Sequence, residues 1–219
     1  MEADIARKYE LLQDILRNAG KAAVAFSGGV DSTLLLKAAR LTLGDEALAV
    51  HGSSILQKEQ DCRKVRSFAA EIGVRLIVRE FFPLTWPEFA AKPEDRCYHC
   101  KKRIYSGFRE TVPSGYCLLD ASQLDDLAQE RPGRRAIREL GIRTPLIEAS
   151  LSKKEVRRLS RELGLPNWSS PSESCLATRI RSGRAITEEE LHRIARGEHF
   201  LESLGFSGCR VRYDEGGVF

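Results

Sequence analysis

Ser27-Gly28-Gly29-Val30-Asp31-Ser32 is the stretch on which the reading of this chain turns. An apolar run from Ala22 to Phe26 precedes it, and a helical pattern through Leu34, Leu35, Leu36, Ala38 and Ala39 follows. The order predicts a buried strand feeding a glycine turn that becomes a helix. Adjacent glycines let the backbone come close to an anion and take positive φ at little cost. The start of a helix offers unpaired N–H groups and a partial positive charge to a phosphate. Ser27 and Ser32 add hydroxyl donors, and Asp31 is placed to hold Mg²⁺ against the same phosphates. The Gly-Lys-Ser/Thr ending of a Walker A element is missing, which argues against an ordinary kinase or GTPase.

Strand and helix signals alternate outward from this loop. After the helix from Asp31 to Leu43, Ala47 to His51 reads as a second strand and Gln57 to Ile72 as a helix. Val74 to Val78 reads as a third strand. A loop with three prolines, Phe82 to Asp95, leads to a helix near Tyr98 to Thr111, and Tyr116 to Leu119 is a fourth strand. This alternation predicts an α/β fold, a doubly wound parallel sheet whose ligands bind at the carboxyl ends of its strands.

The 219 residues are 42% hydrophobic, enough for one sizeable domain with a small appendage. A division at residues 1–165 and 166–219 is expected. The net charge of +4 is too small to imply a polyanion partner but suits a site that handles phosphates. No apolar run reaches the length of a membrane span. Met1 to Gly20 reads as an amphipathic helix with Ile5, Leu12, Ile15 and Leu16 on its apolar side, not as a signal peptide. A soluble, cytoplasmic protein is expected, with neither a membrane nor a nucleic-acid partner.

Beyond Asp120 the sequence is charged and rich in loops. Ser152 with Glu155, and Thr187 with Glu190, form capping boxes that open two further helices. Between them, Pro166 to Ala185 shows no periodicity, and a loop of that length is usually functional. Six cysteines in a chain this long do not suggest a secreted disulfide scaffold. Cys62 falls on an apolar helical stripe, Cys117 sits in a short strand, and Cys209 alternates with Val211 and Tyr213 along a predicted strand that sets Arg210 and Arg212 on one side; the three cysteines read as core residues. Cys97, Cys100 and Cys175 lie in polar, loop-like surroundings.

Ser27 to Ser32 resembles the PP-loop of ATP pyrophosphatases, which cut ATP between its α and β phosphates and adenylate a carboxylate or carbonyl. A wider resemblance covers Val24 to Tyr213. Leu119-Asp120-Ala121, Asp125-Asp126, Arg131-Pro132-Gly133, Pro145 to Ala149, Ser152 to Glu155, Leu163 to Trp168 and Ser174 to Arg179 together resemble the LarE family. Ala121, Gln123 and Arg181-Ser182-Gly183 depart from its pattern. The family continues past Tyr213 in a small α/β segment, so the C-terminal extension ending at Phe219 reads as truncated.

The resemblance implies an enzyme, an ATP-dependent sulfur transferase of nickel-pincer nucleotide biosynthesis, the cofactor of lactate racemase. Its substrate would be pyridinium-3,5-biscarboxylic acid mononucleotide, each carboxylate being adenylated and converted to a thiocarboxylate. It further implies ATP and Mg²⁺ as cofactors, a sulfide donor and a homo-oligomer. A tRNA-thiolating PP-loop enzyme is the alternative. Against it, basic and acidic residues are interspersed along the chain.

Chemistry singles out Cys175, since a thiolate is the natural attacker of an acyl-adenylate, and Arg179 and Arg181 beside it favour the thiolate. Some family members carry this cysteine alone and surrender its sulfur, leaving dehydroalanine. Others hold a [4Fe-4S] cluster on three cysteines, and Cys97 and Cys100 with Cys175 resemble that group. Zinc on the same residues with His99 is the other reading of the spacing. Lys101 and Glu198 match family residues near the adenylate and the reactive cysteine. Glu198 falls on an apolar helix face, where a carboxylate needs a partner. Arg210 and Arg212 match a family pair that binds the substrate phosphate. Arg179 counts with them and with Ser27, Gly28, Gly29, Asp31 and Ser32 as cofactor-binding.

Overall fold

A computed structural model describes residues 3–90, 94–128, 132–181, 183–206, 208–214 and 217–218. Helix α1 (Ala3–Ala19) lays Ile5, Leu12, Ile15 and Leu16 on the core, as its 3.6-residue period requires. Strand β1 (Ala22–Ala25) then enters the sheet and hands over to α2 (Val30–Leu43). In α2, Leu34, Leu35 and Leu36 are all fully buried, so the middle of the helix is covered over a broad arc, while Leu41 near its end is exposed. Truncating any of them to alanine costs about 2–5 kcal/mol.

β2 (Ala47–Ser53), α3 (Glu59–Ile72) and β3 (Arg75–Glu80) continue the alternation. A short α4 (Pro87–Ala90) precedes α5 (Arg96–Thr111) and β4 (Cys117–Leu119). The four strands are parallel in the order β3-β2-β1-β4. Ala22 pairs with Ala47 on one side and with Cys117 on the other. The order therefore reverses around β1, the switch point where doubly wound sheets open a crevice at their carboxyl ends. The glycine loop leaves β1 at that end, and Asp120 follows β4 beside it.

The charged stretch after Asp120 forms α6 (Pro132–Glu139) and α7 (Pro145–Glu148), which were not legible as helices. Helices α8 (Lys153–Glu162) and α9 (Glu188–Ser203) start on the two expected capping boxes, each closed in both directions. Lys8 reaches Glu155 of the first box at 2.6 Å and ties α1 to α8. The segment between α8 and α9 is mostly irregular, with one 3₁₀ turn at Leu176–Arg179. Leu176, Ala177, Ile180, Leu191, Ile194 and Val211 share a core with Ala23, Leu48 and Val50 of the sheet.

The alternation of Cys209 to Tyr213 does not form a strand. Only β5 (Tyr213–Asp214) pairs, antiparallel to β6 (Gly217–Val218), and Arg210 and Arg212 are exposed on irregular backbone. Cys117 packs on the core, whereas Cys62 is half-buried and lines a cavity of about 700 Å³ between α3 and α9. Among the described residues no helix is long and apolar enough to cross a membrane.

Candidate active site

Of the two glycines, Gly28 takes the left-handed conformation (φ +77°) while Gly29 is extended (φ −72°, ψ 161°). Side-chain hydroxyls close the loop on itself. Gly29 N donates to Ser27 Oγ at 3.3 Å, Ser27 and Ser32 hydroxyls meet at 3.1 Å, and Ser32 Oγ donates to Gly29 O at 3.0 Å. The first intrahelical bond runs from Thr33 N to Gly29 O, so the N–H groups of Val30, Asp31 and Ser32 lie ahead of the ladder. The turn and helix start expected from the sequence are thus present, with these three N–H groups unused by the helix.

A cavity of about 440 Å³ opens on this loop. Gly28, Gly29, Asp31, Lys58, Lys153 and Cys175 are among the residues that line it. Residues far apart in the chain thus face one space. Lys153 Nζ lies 2.8 and 2.7 Å from the two oxygens of Asp31. Burial raises the Asp31 carboxyl above the usual range, and Lys153 works against it. Lys153, the first residue of α8, was not among the expected site residues.

The Cys175 segment is fixed by Arg179. Its Nη1 donates to Ser174 O at 2.7 Å and to Cys175 O at 3.2 Å, and its Nε donates to Glu198 Oε1 at 2.7 Å. Glu198 is fully buried, and Lys58 Nζ approaches it at 3.5 Å. The carboxylate on the apolar face of α9 is therefore paired, as its position demands. Glu198 is not among the residues lining the cavity, and Arg179 links it to the Cys175 carbonyl.

Cys97 and Cys100 sit one turn apart at the start of α5, not in a loop. Cys175 is half-buried and packs on the same core cluster as Cys100. Burial pushes the Cys100 thiol up to about 12, with Cys175 and Cys97 adding to the shift. Burial also raises the Cys175 thiol, and the cation that counters it is Arg96 rather than Arg179. Arg96 is buried, donates to Ala177 O at 3.1 Å and lies 3.9 Å from Cys97 Sγ. The donor set suits a thiolate-ligated centre in kind. In geometry it does not close: among the described residues no group of three or more Cys, His, Asp or Glu side chains converges to hold a metal ion.

Lys101 is not among the residues lining the cavity, and its Nζ lies 3.2 Å from Asp120 Oδ2. Asp120 also accepts from Tyr105 and from Ser122 N. Burial works to raise the Asp120 carboxyl, yet Lys101, Ser122 and Tyr105 hold it below the usual range. Arg210 donates to Ser172 O at 3.1 Å, which brings it to the rim of the Cys175 segment.

A glycine loop at the switch point of a parallel sheet, lining one cavity together with a cysteine, is the arrangement of an α/β fold of the PP-loop class. No family model matches the chain. It is 34% identical to the pyridinium-3,5-bisthiocarboxylic acid mononucleotide synthase of Lactiplantibacillus plantarum, over 96% of this chain and 78% of that protein. The chain belongs to that synthase family, the LarE family. An uncharacterized protein of Synechocystis is 37% identical over 95% of this chain and 78% of its own length. A glutamine-hydrolysing GMP synthase component from Archaeoglobus fulgidus is 29% identical over 67% of this chain and 52% of its own length.

Proposed function

We propose that this enzyme binds ATP and Mg²⁺ on the glycine loop, adenylates a carboxylate of pyridinium-3,5-biscarboxylic acid mononucleotide, and delivers sulfur to it at Cys175. The supporting observation is the single cavity that joins Gly28 and Gly29 to Cys175. Family membership supports the product, a nucleotide bearing two thiocarboxylates. A carboxylate is a poor electrophile until its oxygen becomes part of a good leaving group, and ATP supplies the adenylyl group for that.

Within this reading, the N–H groups of Val30, Asp31 and Ser32 bind the phosphates, and Asp31 exchanges Lys153 for Mg²⁺. The freed Lys153 ammonium then neutralises charge on the departing pyrophosphate. Arg179, held by Glu198, keeps Cys175 turned to the cavity. Arg210 and Arg212, both exposed, are the residues to bind the substrate phosphate at its rim. Lys101 acts through Asp120 unless a bound substrate draws it out.

Two origins of the sulfur compete. Cys97, Cys100 and Cys175 are the thiols that a sulfide-bearing [4Fe-4S] cluster would need, but among the described residues they do not converge to hold a metal ion. One geometric fact favours the second reading, in which Cys175 gives up its own sulfur. Cys175 lines the cavity, while Cys97 and Cys100 are not among its lining residues. Attack of Cys175 on the acyl-adenylate would release AMP, and cleavage of its Cβ–S bond would leave dehydroalanine.

The deciding measurement is pyrophosphate release from Mg·ATP. Release that requires the pyridinium dicarboxylate mononucleotide supports the proposal. Release triggered by tRNA, or by neither, overturns it. Iron and acid-labile sulfide in anaerobically purified protein, set against loss of one hydrogen sulfide from Cys175 after turnover, separates the two sulfur sources.

A further inference from the structure

Phosphate binding by a glycine loop needs its N–H groups to face the anion and its carbonyls to face elsewhere. Here the carbonyls are held from outside the loop. Asn167 Nδ2 donates to Gly28 O at 2.9 Å and to Thr33 Oγ1 at 2.9 Å. Thr33 Oγ1 donates in turn to Gly29 O, also at 2.9 Å. Both glycine carbonyls are thereby engaged by one side-chain relay.

The orientation of the amide follows from its neighbours. Turned over, Asn167 would set Oδ1 against the Gly28 carbonyl, oxygen to oxygen. In the orientation found, Oδ1 is buried without a hydrogen-bond partner, and Asn167 is only 5% exposed. An unsatisfied buried acceptor is costly. The amide directs both of its N–H groups to the loop and to Thr33 while its own oxygen makes no hydrogen bond. The backbone around Asn167 is braced as well. Arg157, on α8, donates to Trp168 O and Ser170 O, each at 2.8 Å.

We propose that Asn167 and Thr33 are positioning residues for phosphate binding, which pin the Gly28 and Gly29 carbonyls so that the loop presents only donors to the anion. This rests on the nucleotide reading given above and assigns the loop two supports beyond its own residues. Neither side chain needs to touch the nucleotide.

Thr33 permits a near-isosteric test. Calorimetric titration of the full chain with Mg·ATP, and separately with inorganic pyrophosphate, compares wild type with Thr33→Val, Thr33→Ser and Asn167→Ala. Thr33→Val and Asn167→Ala each remove two of the three bonds of the relay and should weaken both ligands alike, by about five- to tenfold, with Thr33→Ser within about twofold of wild type. Thermal melts of Thr33→Val and Thr33→Ser establish that both are folded. The proposal is overturned if Thr33→Val binds as tightly as wild type, or if Thr33→Ser is as weak as Thr33→Val. Wild type that binds neither ligand overturns the nucleotide reading itself. Wild-type binding with an unaffected valine variant sinks only the positioning role.

Discussion

Arg179 and Glu198 form a buried ion pair, Nε to Oε1 at 2.7 Å and Nη2 to Oε2 at 3.2 Å, directly behind the carbonyl of Cys175. The pair joins α9 to the irregular segment that carries the thiol. Removing one partner leaves the other charged and buried. Glu198→Ala should therefore cost roughly 3–5 kcal/mol in denaturant unfolding. It should also speed iodoacetamide alkylation of Cys175, because Arg179 loses its anchor. An unchanged unfolding midpoint together with unchanged alkylation would show that the pair does not order the segment.

Cys175→Ala is expected to abolish sulfur transfer while substrate-dependent pyrophosphate release continues, since activation of the carboxylate precedes attack by sulfur. Equal loss of both activities would contradict that order. Cys100→Ala sharpens the comparison. If Cys175 is the sole sulfur source, single-turnover thiocarboxylate formation survives this change; if the three thiols act as one centre, it does not.

Asp31→Asn removes the charge that would hold Mg²⁺ and leaves Lys153 without its carboxylate. Pyrophosphate release should fall by an order of magnitude or more, about 1.4 kcal/mol per tenfold, with partial recovery at high Mg²⁺. Release at the wild-type rate would take Asp31 out of the mechanism.

His51 offers a pH signature at the foot of the glycine loop. Its Nδ1 lies 2.8 Å from Phe26 O, its Nε2 is buried without a partner, and burial holds the imidazole below its ordinary value. The folded chain thus binds fewer protons at this site than the unfolded chain. The associated stability is complete above the unfolded imidazole range, near 6.5, and is lost as the pH falls through the lower folded value. Unfolding free energies measured from pH 7.5 to 5 should decline in wild type, with a shallower slope in His51→Gln. Identical slopes would assign the decline to other groups.

How legible this molecule was depends on the range of the physics involved. The strands were readable from β-branched and apolar runs, and α8 and α9 from Ser152–Glu155 and Thr187–Glu190, because periodicity and capping are local. Helix α6 escaped notice, being short and charged between loop signals. The prolines before Asp95 suggested a loop at Cys97, but the helix starts at Arg96. Alternation at Arg210 and Arg212 had no neighbouring strand to pair with. In the site, the glycine loop announced itself. Lys153 and Asn167 did not, since their partners Asp31 and Gly28 lie 122 and 139 residues away. Nothing in their immediate neighbours encodes those meetings.

The 139-residue span between Asn167 and Gly28 carries a consequence for how the protein is made. A nascent chain can pair its strands and wind α2 long before Asn167 leaves the ribosome. Until then the turn has its sequence and its left-handed glycine, but the Asn167 amide that grips the Gly28 carbonyl is missing. Closing so long a loop is entropically slow, and few local contacts reward it along the way. Competence to hold a nucleotide should consequently be a late acquisition in biosynthesis, arriving with the same stretch of polypeptide that brings the reactive sulfur.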